Sequence, residues 1–450
     1  MTVIASLPIL LAAGAEAALR PLLVQLAVII LAARLGATVA RRFGQPSVVG
    51  EIVAGLLLGP SVFGAVAPDL FAVVFRGPAG QGGGLEAALT GFSQVGLVLL
   101  LFLVGIEFDF SHIRRQGRPA ALISLAGVAV PFGLGLGLAV AMAPRLEALG
   151  AAGPIDPRTF ALFLGTALSI TAIPILGRIL IEMGLQHTAL GATVIAAAAC
   201  DDAVGWTLLA AVSAIALGNF EAAAIGRMVA ATLAFAAAML FVVRPLSLPV
   251  LERALIDDGP GRPRLPLGWL SLLLAALLLA ALGTSLIGIF AIFGAFLLGA
   301  ALSGSPRLRE AVAGHLTDFV TVFFLPIFFT FTGLRTNIGA LGTPEAWLWC
   351  GAVFAAAVLG KWGGCGLAAR LAGMPPREAA CVGVLMNTRA LMELIVANVG
   401  MDLGVIPPAV YCMLVLMAIG TTLMATPLAT RLLRGTPHEA ALLARGFLRA

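Results

Sequence analysis

Apolar runs of about 20 residues recur from one end of this chain to the other. A run of that length crosses the hydrocarbon of a bilayer as a helix. In lipid only helices and closed barrels leave no backbone polar group unpaired. The runs therefore restrict the chain to an all-α, polytopic membrane protein. Composition agrees, since the 450 residues are 60% hydrophobic and 11% charged, where a soluble domain carries roughly a quarter charged residues.

The pattern predicts thirteen spans, at 18–40, 46–59, 86–108, 119–143, 158–183, 188–216, 222–243, 267–285, 286–303, 316–334, 346–370, 377–399 and 408–430. Arginines decide orientation, because loops on the cytoplasmic side carry an excess of basic residues. With the N-terminus outside, the inner loops hold Arg41, Arg42, Arg114, Arg115, Arg118, Arg244, Arg253, Arg262, Arg264, Arg307, Arg309, Arg370 and Arg377. The tail adds Arg431, Arg434, Arg445 and Arg449. The outer segments hold Arg20, Arg76, Arg145, Arg158 and Arg335. The expected setting is the inner (plasma) membrane of a cell, with the C-terminus in the cytoplasm. Residues 1–434 form the membrane domain and 435–450 a short cytoplasmic tail, which leaves no room for an attached nucleotide-binding domain. Residues 3–13 are apolar but lack a preceding positive region, which disfavours a cleaved signal peptide.

The net charge of +5 comes without a basic run interleaved with aromatics, so nucleic acid is not an expected partner. Cys200, Cys350, Cys365, Cys381 and Cys412 all fall inside apolar runs, without metal-ligand spacing, and read as small buried hydrophobes. His112, His187, His315 and His438 fall at loops or span ends and form no metal set. No cofactor is expected.

A weak internal symmetry links the halves. IVAGLLLG at 52–59 resembles IFGAFLLG at 292–299, and the spans that follow carry FLVGIEFD at 102–109 and TFTGLRTN at 330–337. The second span then matches the ninth and the third the tenth. An odd shift of seven spans gives the halves opposite orientation, a common plan among transporters.

Charge inside a membrane is costly enough to ask what it is for. Asp201 and Asp202 lie in mid-span in AACDDAVGW. Neighbours on a helix point about 100° apart, so one carboxylate can face a cavity while the other faces a neighbouring helix. Two close carboxylates resist joint ionisation unless cations are supplied, and carboxylate oxygens suit a small hard cation. Lys361, in AVLGKWGG, is the single lysine among the 27 lysines and arginines. Arginine stays protonated, whereas a buried lysine shifts its pKa readily, so a site that binds and releases a proton accepts lysine and rejects arginine. A lysine snorkelling to the interface is the competing reading, and Lys361 lies too far from either end of its segment for it.

In the fifth span, Thr166, Ser169 and Thr171 cluster before Pro174. That proline clashes with the carbonyl of Ile170, four residues back. A helix broken there exposes carbonyls to a cavity; the alternative is an ordinary proline kink. The twelfth span carries Asn387, Thr388, Arg389 and Glu393. The last two are four apart and share a face, as a structural ion pair would. Glu51 and Glu107 read as structural or near the pathway.

Taken together, GQPSVVGEIVAGLLLGPSVFG at 44–64, FLVGIEFDF at 102–110, the Asp201–Asp202 pair, FFLPIFFTFTGLRTNIG at 323–339 and MNTRALMELIVANVGMDLGVI at 386–406 resemble the monovalent cation:proton antiporter-2 family. The paired aspartates look like its electrogenic sodium/proton branch. The glutathione-gated potassium efflux branch instead has glutamine before a single aspartate and a soluble regulatory domain. The resemblance implies a thirteen-helix fold of inverted repeats with two crossed discontinuous helices, here the fifth and twelfth spans. It further implies a core subdomain including about 86–216 and 316–430, a dimerisation subdomain and a homodimer. Asp202 would carry the ion and the proton, and Asp201 would pair with Lys361 when no sodium is bound. Thr171, Ser169, Ile170, Pro174, Asn387, Thr388, Arg389 and Glu393 would support them. The expected function is exchange of sodium or lithium for protons. Potassium/proton exchange is the first alternative and a sodium-coupled organic-anion symporter the second. An intramembrane aspartyl protease is disfavoured, because the Gly-x-Gly-Asp motif is missing.

Overall fold

The computed structural model describes residues 2–76, 82–107, 117–171, 173–186, 188–216, 222–257, 263–389 and 391–444. The chain runs through α1 (Thr2–Arg42), α2 (Ser47–Leu58), α3 (Gly82–Glu107), α4 (Gly117–Met142), α5 (Pro157–Ser169), α6 (Ile173–Glu182) and α7 (Ala189–Ala216). It continues through α8 (Gly226–Ala254), α9 (Leu267–Ile287), α10 (Ala291–Leu302), α11 (Pro306–Arg335), α12 (Pro344–Leu371), α13 (Pro376–Met386), α14 (Leu391–Asp402), α15 (Pro408–Leu432) and α16 (Glu439–Ala444). A short antiparallel hairpin, β1 (Ile256–Asp257) with β2 (Pro263–Arg264), joins α8 to α9.

Among the described residues, eleven helical segments are long and apolar enough to cross a bilayer. The other two expected spans are present as shorter pieces. The fifth is divided into α5 and α6, and the ninth is the 12-residue α10. The expected ninth span began at residue 286, but Gly288 takes a left-handed conformation, φ 96°, and ends α9 at Ile287. A glycine in that conformation is a common way to stop a helix. The tenth span was expected at 316–334, yet α11 starts at Pro306. Its first turns carry Arg307, Arg309 and Glu310, which hydropathy reads as loop and helix propensity does not.

Local chemistry sets the start of α5. Asp156 caps it, accepting from the Thr159 amide at 2.9 Å and the Thr159 hydroxyl at 2.6 Å, and Pro157 occupies the first helical position. Those bonds hold the exposed Asp156 carboxyl below its usual range. The cap therefore works at neutral pH and is lost on acidification below the ordinary carboxylate value.

Close contacts divide the chain into two units. One comprises Met1–Phe43, Ser47–Leu97 and Asp318–Asn337, and the other Gly44–Pro46, Val98–Thr317 and Ile338–Ala450. The core of the first includes Ile29, Leu89 and Ile327, with Phe92 and Phe323 packed edge to face. The second holds every residue of the site described below.

The internal repeat is visible in how glycines are used. In the first unit, a methyl group on Gly59 would strike the Gly333 carbonyl, and one on Gly333 would strike the Gly55 carbonyl, so α2 and α11 touch backbone to backbone. In the second unit, a methyl group on Gly299 would strike the Phe102 carbonyl, and one on Gly105 the Phe296 carbonyl, so α10 and α3 touch in the same way. Gly59 matches Gly299 in the repeat, and Gly333 matches Gly105. The second span thus packs on the tenth and the ninth on the third, each repeat supplying the other's partner. Small residues at such crossings are how helices approach closely in lipid. Gly333→Val should destabilise the protein by roughly 1–3 kcal/mol, the range for forcing atoms into a packed contact. Thermal unfolding in detergent checks this, and an unchanged midpoint would contradict the contact.

Candidate functional site

The site begins with two helices that stop in mid-segment. α5 ends at Ser169, Ile170 is extended at φ −76°, ψ 145°, and α6 restarts at Ile173. α13 ends at Met386, and α14 restarts at Leu391. The breaks meet. The Thr171 hydroxyl shares its one proton between the Met386 carbonyl at 3.2 Å and Asp201 Oδ2 at 2.9 Å. Arg389 donates through Nη1 to the Ala167 carbonyl at 3.1 Å and through Nη2 to the Leu168 carbonyl at 2.5 Å. Ala167 and Leu168 lie in the last turn of α5, where carbonyls have no helical partner and the helix dipole is negative. A guanidinium is suited to both conditions. Arg389 Nη1 also pairs with Glu393 Oε2 at 3.2 Å, the spacing expected from sequence, and Glu393 sits in the first turn of α14, the positive end of that dipole. Thr422 of α15 donates to the Arg389 carbonyl at 2.9 Å, fixing the backbone of the break.

Against these breaks lies α7, with Asp201 and Asp202 near its middle, 0% and 1% exposed. The carboxylates divide their roles. Asp201 Oδ2 accepts from Lys361 Nζ at 2.5 Å and from the Thr171 hydroxyl at 2.9 Å. Among the described residues, neither oxygen of Asp202 has a hydrogen-bond partner. Lys361, 0% exposed, sits in a π-helical turn, Leu359–Gly363, within α12. Such turns break helical register and are frequent at functional sites. A methyl group on Gly127 of α4 would lie 2.6 Å from Cys365 Sγ, 3.3 Å from Asp201 Oδ2 and 3.6 Å from Lys361 Nζ. The missing side chain of Gly127 is the room in which the pair sits.

Of the residues singled out from sequence, the structure brings together Asp201, Asp202, Lys361, Thr171, Ile170, Asn387, Thr388, Arg389 and Glu393. Asn387 leaves Oδ1 without a partner, and Thr388 donates to the Leu385 carbonyl at 2.7 Å. Ser169 and Thr166 point elsewhere. The first donates to the carbonyls of Gly165 at 2.7 Å and Val128 at 3.2 Å, the second to that of Leu162 at 2.8 Å. Pro174 is the second residue of α6, and its side chain lies outside the described residues. So do residues 108–110 of the third-span motif, His112 and His187. Sequence reasoning missed Gly127 and Thr422. Nothing in the local pattern marks either, although Pro131, four residues after Gly127 and unable to donate to its carbonyl, is a usable signal.

Chemically, the arrangement offers a carboxylate with free oxygens beside a carboxylate held by an ammonium. A cation that takes oxygen ligands can engage the first and compete with the lysine for the second. Removing Arg389 would leave Glu393 charged and buried without a partner, a loss of about 3–5 kcal/mol by the usual cost of breaking one side of a buried pair. Arg389→Ala should therefore lower the thermal midpoint in detergent far more than Glu393→Gln, measured with a thiol-reactive dye that reports exposure of the buried cysteines.

A family model described as "Sodium/hydrogen exchanger, transmembrane" matches residues 26–435. The Na(+)/H(+) antiporter NhaS4 of Synechocystis sp. is 37% identical over 422 residues, covering 93% of this chain and 98% of that protein. The K(+)/H(+) antiporter 1 of Saccharomyces cerevisiae is 31% identical over 390 residues, 85% of this chain, and the chain spans 43% of its length. The sodium proton antiporter MjNhaP1 from Methanocaldococcus jannaschii has the same fold, with a TM-score of 0.63 at 16% identity over 95% of this chain and 100% of that one.

Proposed function

The chain belongs to the sodium/hydrogen exchanger family, and we propose that, as a cation/proton antiporter of that family, it exchanges sodium or lithium for protons. The observation that carries the proposal is Asp202. It is a fully buried carboxylate whose two oxygens have no partner among the described residues, set beside an Asp201–Lys361 pair at the meeting point of two broken helices. Buried polar groups are ordinarily paired. A carboxylate without a protein partner there is one that a transported ion or a proton completes. Family membership sets aside the organic-anion symporter and the protease.

The geometry supports the following cycle. Sodium, as substrate, is held by Asp202 and draws Asp201 away from Lys361. Thr171, whose hydroxyl bonds Asp201 at 2.9 Å, and carbonyls at the breaks supply neutral oxygens. Protons leave the carboxylates as sodium arrives. An elevator-type movement of the core subdomain, about 86–216 and 316–430, then exposes the site to the other side. If Lys361 releases a proton along with the aspartate, two protons exchange for one sodium and transport carries charge. The protein would act as a homodimer in the plasma membrane, with its N-terminus outside and C-terminus in the cytoplasm, as the arginine distribution favours.

A second reading changes the ion and keeps the machinery. The yeast relative is named a potassium/proton antiporter, and the same donor set accepts potassium. Proton flux driven by sodium, lithium or potassium in proteoliposomes separates the readings. Sodium and lithium should drive it in the wild type, and Asp202→Asn should abolish exchange with every ion. Full activity in Asp202→Asn would remove the central assignment. Lys361→Ala should lose voltage dependence, and strictly electroneutral exchange by the wild type would overturn the lysine's role as a proton carrier.

A further inference from the structure

α7 carries more buried polar atoms without protein partners than the carboxylate just discussed. Among the described residues, Trp206 is 2% exposed with its indole Nε1 unpartnered, and Ser213 is 5% exposed with its hydroxyl unpartnered. They follow Asp202 by four and eleven residues. At about 100° per residue, all three fall within about 40° of one face of α7. The stripe covers roughly 16 Å along the axis at 1.5 Å per residue. That is about half the thickness of a bilayer's hydrocarbon. It ends three residues short of the end of α7 at Ala216. Leu209, 0% exposed, occupies the same face between the two polar residues, so the stripe is interrupted by one apolar side chain.

The chemistry of the two groups is selective. An indole N–H donates and cannot accept, so the Trp206 N–H supplies no ligand atom to a bare metal ion. It donates readily to water or to a carboxylate. A serine hydroxyl both donates and accepts, as a link in a hydrogen-bonded chain must. A metal ion needs several oxygen ligands at once, and between Asp202 and the helix end this face carries no carboxylate or amide side chain, only the single Ser213 hydroxyl.

We propose that Trp206 and Ser213 are positioning residues of a proton route along this face of α7 that connects Asp202 to the membrane side on which α7 ends while the site is open to that side, distinct from the path of the metal ion. The proposal rests on the reading of Asp202 as the group that exchanges ion for proton. Protons pass between Asp202 and that side through water held by the indole N–H and the serine hydroxyl, while the cation reaches Asp202 by way of the breaks.

The test uses the full-length protein in proteoliposomes, with sodium-driven proton flux followed across pH and sodium concentration. Trp206→Phe keeps the ring and removes the N–H, Ser213→Ala removes the hydroxyl, and Ser213→Thr restores one. Trp206→Phe and Ser213→Ala should each lower maximal turnover by roughly threefold to tenfold, the scale of one lost hydrogen bond. The loss should deepen as pH rises and protons become scarce, with the half-saturating sodium concentration unchanged and Ser213→Thr near wild type. A purely structural role would lower turnover equally at every pH. That result, wild-type turnover throughout, or a changed sodium half-saturation in Ser213→Ala overturns the route. Should Trp206→Phe fail to fold, the two serine variants decide alone. Asp202→Asn in the same assay tests the underlying reading separately: its inactivity alongside unaffected Trp206 and Ser213 variants sinks the route and leaves the exchange site standing.

Discussion

Two helices interrupted inside the membrane leave backbone groups that lipid cannot satisfy, and the arrangement of the site follows from how those groups are answered. Arg389 answers the first interruption, reaching from the second break to the Ala167 and Leu168 carbonyls. Thr171 answers the second, reaching from the first break to the Met386 carbonyl. Each interruption is thus stabilised by a residue of the other, so neither half-helix is complete without its counterpart. Glu393 then balances the charge that Arg389 brings into the buried interior.

Within that frame the Asp201–Lys361 pair is poorly explained as a device for stability. Desolvating two ions costs several kcal/mol apiece, and mutual attraction often does little more than offset it. An apolar pair of similar volume would hold α7 and α12 together as well. What an apolar pair lacks is an alternative partner. Asp201 has two partners, the ammonium of Lys361 and the hydroxyl of Thr171, and the second sits at the break itself. Under the proposed exchange, a change in what the aspartate holds would reach the backbone of a broken helix through Thr171.

Much of this was legible in the sequence, and what was hidden was hidden for definite reasons. Asp201, Asp202 and Lys361 stood out because each is a charge in an apolar run. The Arg389–Glu393 pair followed from helical spacing, and the break at Ile170 from the proline four residues later. The shared faces of Asp201 and Asp202 were read only as different. That Asp201 would take the lysine was implied by the family resemblance alone, because helical spacing cannot place a contact 160 residues away. The bonds from Arg389 to α5 span more than 200 residues and have no local signature. Gly127 was invisible because its contribution is the absence of atoms. The start of α11 was missed because charged helix and charged loop look alike to hydropathy.

The π-helical turn at Leu359–Gly363 has a consequence of its own. A turn of that kind holds one residue more than its neighbours, so the stretches of α12 before and after it are out of phase by about 100°. The face that α12 shows to lipid through Val358 and the face on which Lys361 and Cys365 meet α4 and α7 are set independently. A single-codon deletion in this turn would spare every transmembrane length and every side chain's chemistry, and still swing the lysine off the aspartate. For this stretch of the chain, counting matters as much as composition.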